Sequence, residues 1–227
     1  MNIIWLGHGS FRIEIGGQVL LIDPWLTGNP MMDESQHEEA IAGGPHLLLT
    51  HCHFDHVADA LPIAKKLEIP VVGQYDLMGH WAETEGIETV GFNKGGTVNL
   101  DGVKVTMVNA VHSSSFGTPD GPKWGSTECG FVIEGDDHTI YHSGDTDVMA
   151  DMGIINDLHK PDIGILSAGG HFTMDMRRTA YACKKFFDFK TVIPGHYKTF
   201  PLLEQDADLL KKELAGVNVI EPQVLKS

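Results

Sequence analysis

Cysteine is scarce. Cys52, Cys129 and Cys183 are the only three in 227 residues, too few and too scattered for a disulfide framework or a four-cysteine zinc site. Cys129 and Cys183 are most simply small buried side chains. Basic residues are outnumbered, 16 against 31 acidic ones, and the formal charge of -15 argues against nonspecific capture of a nucleic-acid backbone or an anionic membrane surface. No stretch approaches the roughly 20 uninterrupted apolar residues that a membrane span requires. The opening residues Met1 to Gly7 have no basic leader followed by an apolar run and a small-residue cleavage site, so a cytoplasmic location is expected. With 42% hydrophobic residues, the chain suffices for one compact domain over 1–227.

Hairpin signals recur along the chain. Three short strands are expected at Asn2 to Leu6, Ser10 to Ile15 and Gln18 to Asp23, the last two joined through Gly16-Gly17. Residues 27 to 45 read as a long loop with a short helix around Glu34 to Ala42. Leu47 to Thr50 reads as a buried strand, Val57 to Leu67 as a helix, Pro70 to Gly73 as a strand and Tyr75 to Glu85 as a helix. Val98 to Leu100 and Val103 to Val108 flank the turn dipeptide Asp101-Gly102, and Cys129 to Glu134 faces His138 to His142 across Gly135-Asp136-Asp137. Further helices are expected at Val148 to Leu158, Met174 to Phe187 and Leu202 to Leu214, with strands at Ile163 to Leu166, Thr191 to Ile193 and Val217 to Ile220. So many hairpins exclude a purely parallel, doubly wound sheet, and point to two mixed sheets packed together with helices outside.

The densest chemistry lies in His51-Cys52-His53-Phe54-Asp55-His56, directly after the Leu47 to Thr50 strand. In extended backbone His51 and His53 project to one side, and a turn into a helix brings Asp55 and His56 around the same cavity. Imidazole nitrogen and carboxylate oxygen suit zinc and other borderline divalent ions. A covalent mechanism has little support. Ser10, Ser113 and Ser143 lack a nucleophile-elbow sequence, and Cys52 alternates away from His51 and His53.

The run His51-x-His53-x-Asp55-His56 resembles the signature of the metallo-β-lactamase superfamily. Ala110-Val111-His112-Ser113, Ser143-Gly144-Asp145-Thr146 and Ile193-Pro194-Gly195-His196 resemble its remaining ligand segments in the usual order. The resemblance covers essentially the whole chain and implies an α/β fold, a four-layer αββα sandwich of two mixed β-sheets with the metal site at the sheet edge. It further implies that His51, His53 and His112 hold one ion, that Asp55, His56 and His196 hold a second, and that Asp145 bridges them. Zinc comes first, with manganese, nickel, iron or cobalt as alternatives. Paired ions lower the proton affinity of water, and Asp55 would both ligate and orient that nucleophile.

Two more histidines are candidate catalytic or pocket residues. His8, in Gly7-His8-Gly9-Ser10, resembles a Gly-His-x-Ser start found in a branch that includes ascorbate-6-phosphate lactonase-like and N-acyl phosphatidylethanolamine phospholipase-like proteins; there it would contact substrate, donate a proton or support the centre. His171, in Gly169-Gly170-His171-Phe172-Thr173, is placed either above the site or in a capping loop, with Thr173 as a candidate helix cap. Asp23 resembles a family position near the metals, supporting ligands rather than serving as one. The expected function is metal-dependent hydrolysis of a small-molecule ester, lactone or phosphoester. A metal-bearing binding or regulatory protein without turnover and a nuclease-type phosphodiesterase are the alternatives. The sequence offers no assigned oligomer interface, and homo-oligomerisation stays open.

Overall fold

The computed structural model describes residues 1–226. The first half runs β1 (Asn2–Gly7), β2 (Ser10–Ile15), β3 (Gln18–Ile22), a 3-10 turn at Glu34–Gln36, α1 (His37–Ile41), β4 (His46–Leu48), α2 (Phe54–Val57), α3 (Ala60–Leu67), β5 (Val71–Gln74), α4 (Tyr75–Glu85) and β6 (Thr89–Phe92). The second runs β7 (Thr97–Leu100), β8 (Val103–Asn109), a small ribbon of β9 (Ser115–Phe116) and β10 (Lys123–Trp124), β11 (Cys129–Gly135), β12 (His138–His142), α5 (Asp151–His159), β13 (Ile163–Ser167), α6 (Met176–Phe186), β14 (Thr191–Gly195), α7 (Asp208–Glu213) and β15 (Asn218–Val219).

Each half builds one mixed sheet. The first has the order β1-β2-β3-β4-β5-β6, antiparallel through β3 and parallel beyond it. The second has the order β15-β14-β13-β12-β11-β8-β7, antiparallel from β7 to β12 and parallel from β12 to β15. Period-two alternation decides which side chains go where. Phe11, Ile13 and Ile15 of β2 meet Val103, Val105 and Met107 of β8 in the core between the sheets, while Leu21 and Leu47 turn to the outer face and pack on Ile63, Met78 and Trp81 of the flanking helices. The result is the expected layering of helices, two sheets and helices. Fully burying each large aliphatic side chain in these two cores stabilises the fold by roughly 1.5–3 kcal/mol. Among the described residues no helix is long and apolar enough to cross a membrane.

Turn chemistry sets the hairpins. Gly16 and Gly17 both have positive φ (59° and 76°), the geometry of a two-residue turn whose twist matches the strands. The β11–β12 turn is tighter than the sequence suggests, because Gly135 pairs with His138 and Asp136 and Asp137 alone adopt positive φ. Several helices start late or break. The helix expected at Val57 to Leu67 divides at Asp59, whose carboxylate accepts the amides of Leu26 (2.7 Å) and Thr27 (2.8 Å) and pins the 27–45 loop over the sheet. The helix expected from Leu202 forms only over Asp208–Glu213. Upstream of it Glu204 N donates to Gly169 O and Lys198 N to Glu204 O, so that stretch is tied to its neighbours instead of to a helical ladder. The strand β6 and the two-residue strands of the β9–β10 ribbon were not expected.

Candidate metal centre

Strand direction gathers the chemistry at one end of the sandwich. His51 and the His53–His56 turn follow β4, His112 follows β8, Asp145 follows β12, His196 follows β14, and Asp23 follows β3. These are carboxyl ends of strands, the edge at which open α/β sheets present loops to a ligand. His8 reaches the same place from the β1–β2 turn with φ +52°, and His196 and Asp23 also sit at positive φ, +62° and +46°. Backbone strain of this kind, about 1–3 kcal/mol per residue, persists only where the surroundings over-determine it.

Two donor clusters result. In one, His51 Nε2 lies 3.0 Å and His112 Nε2 3.3 Å from His53 Nδ1. In the other, Asp55, His56, His196 and His8 converge, with Asp55 Oδ2 at 3.4 Å from His56 Nε2, 3.5 Å from His196 Nε2 and 2.7 Å from His8 Nε2. Asp145 Oδ2 stands between them, 3.9 and 3.7 Å from the Nε2 atoms of His51 and His112 and 3.3 and 3.0 Å from those of His56 and His196.

The nitrogen spacings of the first cluster approach the edge of a tetrahedron with bonds of about 2.05 Å, roughly 3.3 Å. Lone pairs of neutral imidazoles at that spacing repel unless a cation lies among them, and burial, the largest influence, pushes all three histidines below their ordinary pKa and so towards the neutral form. His56 Nε2 is buried and has no hydrogen-bond partner. Burial by itself would raise the carboxyl pKa of Asp55 and Asp145, yet attraction from His56 and His196 holds both well below the usual carboxylate range. Reciprocally, burial opposes a proton on His196, but Asp145 and Asp55 lift it to about 9, and His56 is raised for the same reason. The second cluster thus demands positive charge between its carboxylates, which divalent ions supply. The donors fit metal at both clusters.

Behind the donors, a supporting layer fixes orientation. Asp23 accepts the Thr50 amide (2.7 Å) and His56 Nδ1 (2.8 Å), and the Thr50 hydroxyl links Asp23 to His51 Nδ1. Protons held on these Nδ1 atoms leave the Nε2 lone pairs of His51 and His56 facing the site. Ser113 Oγ meets His53 Nε2 at 3.3 Å and so leaves Nδ1 inward. His142, pushed down to about 4 by burial, accepts the Gly144 amide at the turn into Asp145. Glycine makes room at two contacts: a Cβ on Gly9 would lie 2.7 Å from His56 Cε1, and one on Gly169 would lie 2.2 Å from His196 O.

All seven expected ligands come together. His8 is 1% exposed, with Nε2 on Asp55 and Nδ1 on Thr199 Oγ1 (2.7 Å), and burial against the pull of Asp55 pushes its pKa down to about 4. His171 is exposed, with its ring edge-on to Phe172 at 4.6 Å, and it is Phe172 that lines the cleft. Thr50 and Thr199 were missed by sequence reasoning; Thr50 directly precedes His51, whereas nothing marks Thr199. Over the centre opens a cleft of about 630 Å³ bounded by Phe54, Ser113, Ser115, Phe172, Phe200 and Leu202.

Known proteins resemble this chain in sequence and in fold. The family model described as "Beta-lactamase superfamily domain" matches residues 18–197. The chain is 64% identical to a UPF0173 metal-dependent hydrolase of Ruegeria pomeroyi, covering 100% of this chain and 99% of the relative, and 62% identical to one of Paracoccus denitrificans, covering 100% and 98%. Among solved structures it is similar to Igni18, a metallo hydrolase from Ignicoccus hospitalis, with 28% identity, a TM-score of 0.84 and coverage of 99% and 95%. An isothiocyanate hydrolase from Delia radicum gut bacteria, at 20% identity, a TM-score of 0.74 and coverage of 97% and 96%, shares the fold.

Proposed function

The chain belongs to the metallo-β-lactamase superfamily, in its small UPF0173-like metal-dependent hydrolase branch, and on that premise we propose that it hydrolyses a small-molecule ester, lactone or phosphoester with water activated at two divalent ions, zinc foremost. The observation that carries this reading is the position of Asp145 Oδ2, within 3.0–3.9 Å of four Nε2 atoms drawn from both clusters. In this reading His51, His53 and His112 would hold one ion, Asp55, His56 and His196 would hold the other, and the Asp145 carboxylate would contribute to both. Bound divalent ions polarise the scissile group and lower the proton affinity of water.

The protein side chains set the stage for that chemistry. Asp23 and Thr50 hold the protons of His56 and His51 on Nδ1. Neutral His8 donates from Nε2 to Asp55 and accepts the Thr199 hydroxyl at Nδ1, so Asp55 is kept in one orientation toward the centre, where its ionised carboxylate would orient the attacking water. His8 acts here by positioning Asp55.

A panel of esters, lactones and phosphodiesters assayed with metal-loaded protein tests the proposal. Turnover is expected on at least one class, abolished by chelation and restored by metal. A fully metallated protein that binds these compounds but turns over none of them contradicts it and supports a binding or regulatory role; oligonucleotides cleaved in preference to small phosphodiesters at matched concentration support a nuclease.

A further inference from the structure

One flank of the cleft over the metal centre is apolar. Phe54, Phe172 and Leu202 are 61%, 53% and 55% exposed, and they come from three separate segments, α2 and the loops after β13 and β14. Half-buried Phe200 completes this surface beside the second donor cluster, its ring 5.8 Å from His8 and 6.2 Å from Trp25, which in turn meets Phe54 edge-on at 5.5 Å. The hydroxyls of Ser113 and Ser115 lie on the other flank, Ser113 against His53. Leaving large apolar side chains in water costs free energy, and convergence of several on one cleft marks a binding surface.

Charge is distributed in a complementary way. The chain has 16 lysines and arginines, yet none lines this cleft, and its titratable lining groups all belong to the metal centre or contact it. Arg178, on α6, is engaged in a two-point pair with Asp147 (2.9 Å each), and Lys198, beside the site histidine, lies over the Tyr197 ring near Glu221. A substrate carrying a remote phosphate or carboxylate would find no cation of the protein in the cleft and would face a chain of formal charge -15.

We infer that the cleft takes a neutral carboxylic ester or lactone with an apolar acyl or aryl arm, the carbonyl facing the metal centre and the arm lying on Phe54, Phe172, Phe200 and Leu202. The inference rests on the hydrolase reading above and narrows it. Hydrolysis joins the water oxygen to the acyl carbon and breaks the bond from that carbon to the leaving oxygen. One water proton passes to the departing alkoxide, giving alcohol and carboxylic acid without a further reactant.

Two measurements on the metal-loaded protein separate this inference from its premise. Calorimetry compares acetohydroxamate with octanohydroxamate, which share a metal-binding head and differ in apolar length. The longer compound is expected to bind at least about tenfold tighter, a modest fraction of what six methylenes could supply on an open surface. Phe172→Ala and Leu202→Ser, at exposed positions where the fold should hold, are each expected to shrink that ratio. Kinetics compares p-nitrophenyl acetate, p-nitrophenyl octanoate and p-nitrophenyl phosphate; kcat/KM should rise with acyl length, with the phosphate the poorest substrate. Equal hydroxamate affinities, a ratio unmoved in both variants, or preference for the phosphate overturns the inference. An intact hydroxamate ratio with no ester, lactone or phosphoester turned over supports the apolar arm site and overturns the hydrolase reading alone.

Discussion

Four imidazole Nε2 atoms surround one carboxylate oxygen of Asp145, which is 3% exposed. Asparagine would keep nearly the same shape while replacing one acceptor oxygen with a donor and removing the charge that holds both clusters together. Asp145→Asn is therefore expected to lose at least one ion and to cut turnover by at least about 100-fold while the circular dichroism spectrum is kept. A mere turn residue there would cost about 1 kcal/mol and leave chemistry intact, so near-wild-type activity with two ions retained would make Asp145 structural. The candidates His51, His53 and His56 were legible in sequence because they crowd, three within six residues, whereas His112 and His196 stand alone and were marked only by the family resemblance of their segments. Isolated His171 carries the same side chain without that crowding and lies exposed against Phe172. Thr199 was invisible, since a hydroxyl 191 residues from the His8 ring it meets leaves no local pattern.

At the scale of elements, the loops at the strand ends carry the site and their tightness governs it. Gly9 in the β1–β2 turn does not have positive φ, so alanine there strains no backbone, but its Cβ would press 2.7 Å from His56 Cε1. His56 is pinned on its other side by Asp23 at 2.8 Å and has little freedom to retreat. Gly9→Ala is expected to weaken metal binding by at least about tenfold in a chelator-competition titration, with overpacking costing about 1–3 kcal/mol of stability. Unaltered affinity would show that the ring can yield. The hairpins were readable beforehand because alternation and turn residues are local properties, and α4 was met at both expected ends. Other helix bounds were not. Amphipathic spacing continues through Leu202 and Val57, but Asp59 is captured by the Leu26 and Thr27 amides and Glu204 by Gly169, contacts made across the fold.

For the whole molecule, the centre is a joint product of both sheets. His51, His53, Asp55 and His56 come from the first half and His112, Asp145 and His196 from the second, and they meet only because the two sheets point their carboxyl ends the same way. Candidate ligands could be picked out from motifs in order along the chain, but the docking of the halves depends on non-local strand pairing that no window of sequence contains. Metal binding should accordingly be coupled to the complete fold. Metal content, by elemental analysis of protein reconstituted and freed of excess ion, tests the central claim most directly. About two divalent ions per chain are expected in the parent protein, with lower occupancy in His51→Ala, His112→Ala and His196→Ala. Full occupancy in all three variants, soluble and folded, would contradict the assignment of these residues as the metal centre.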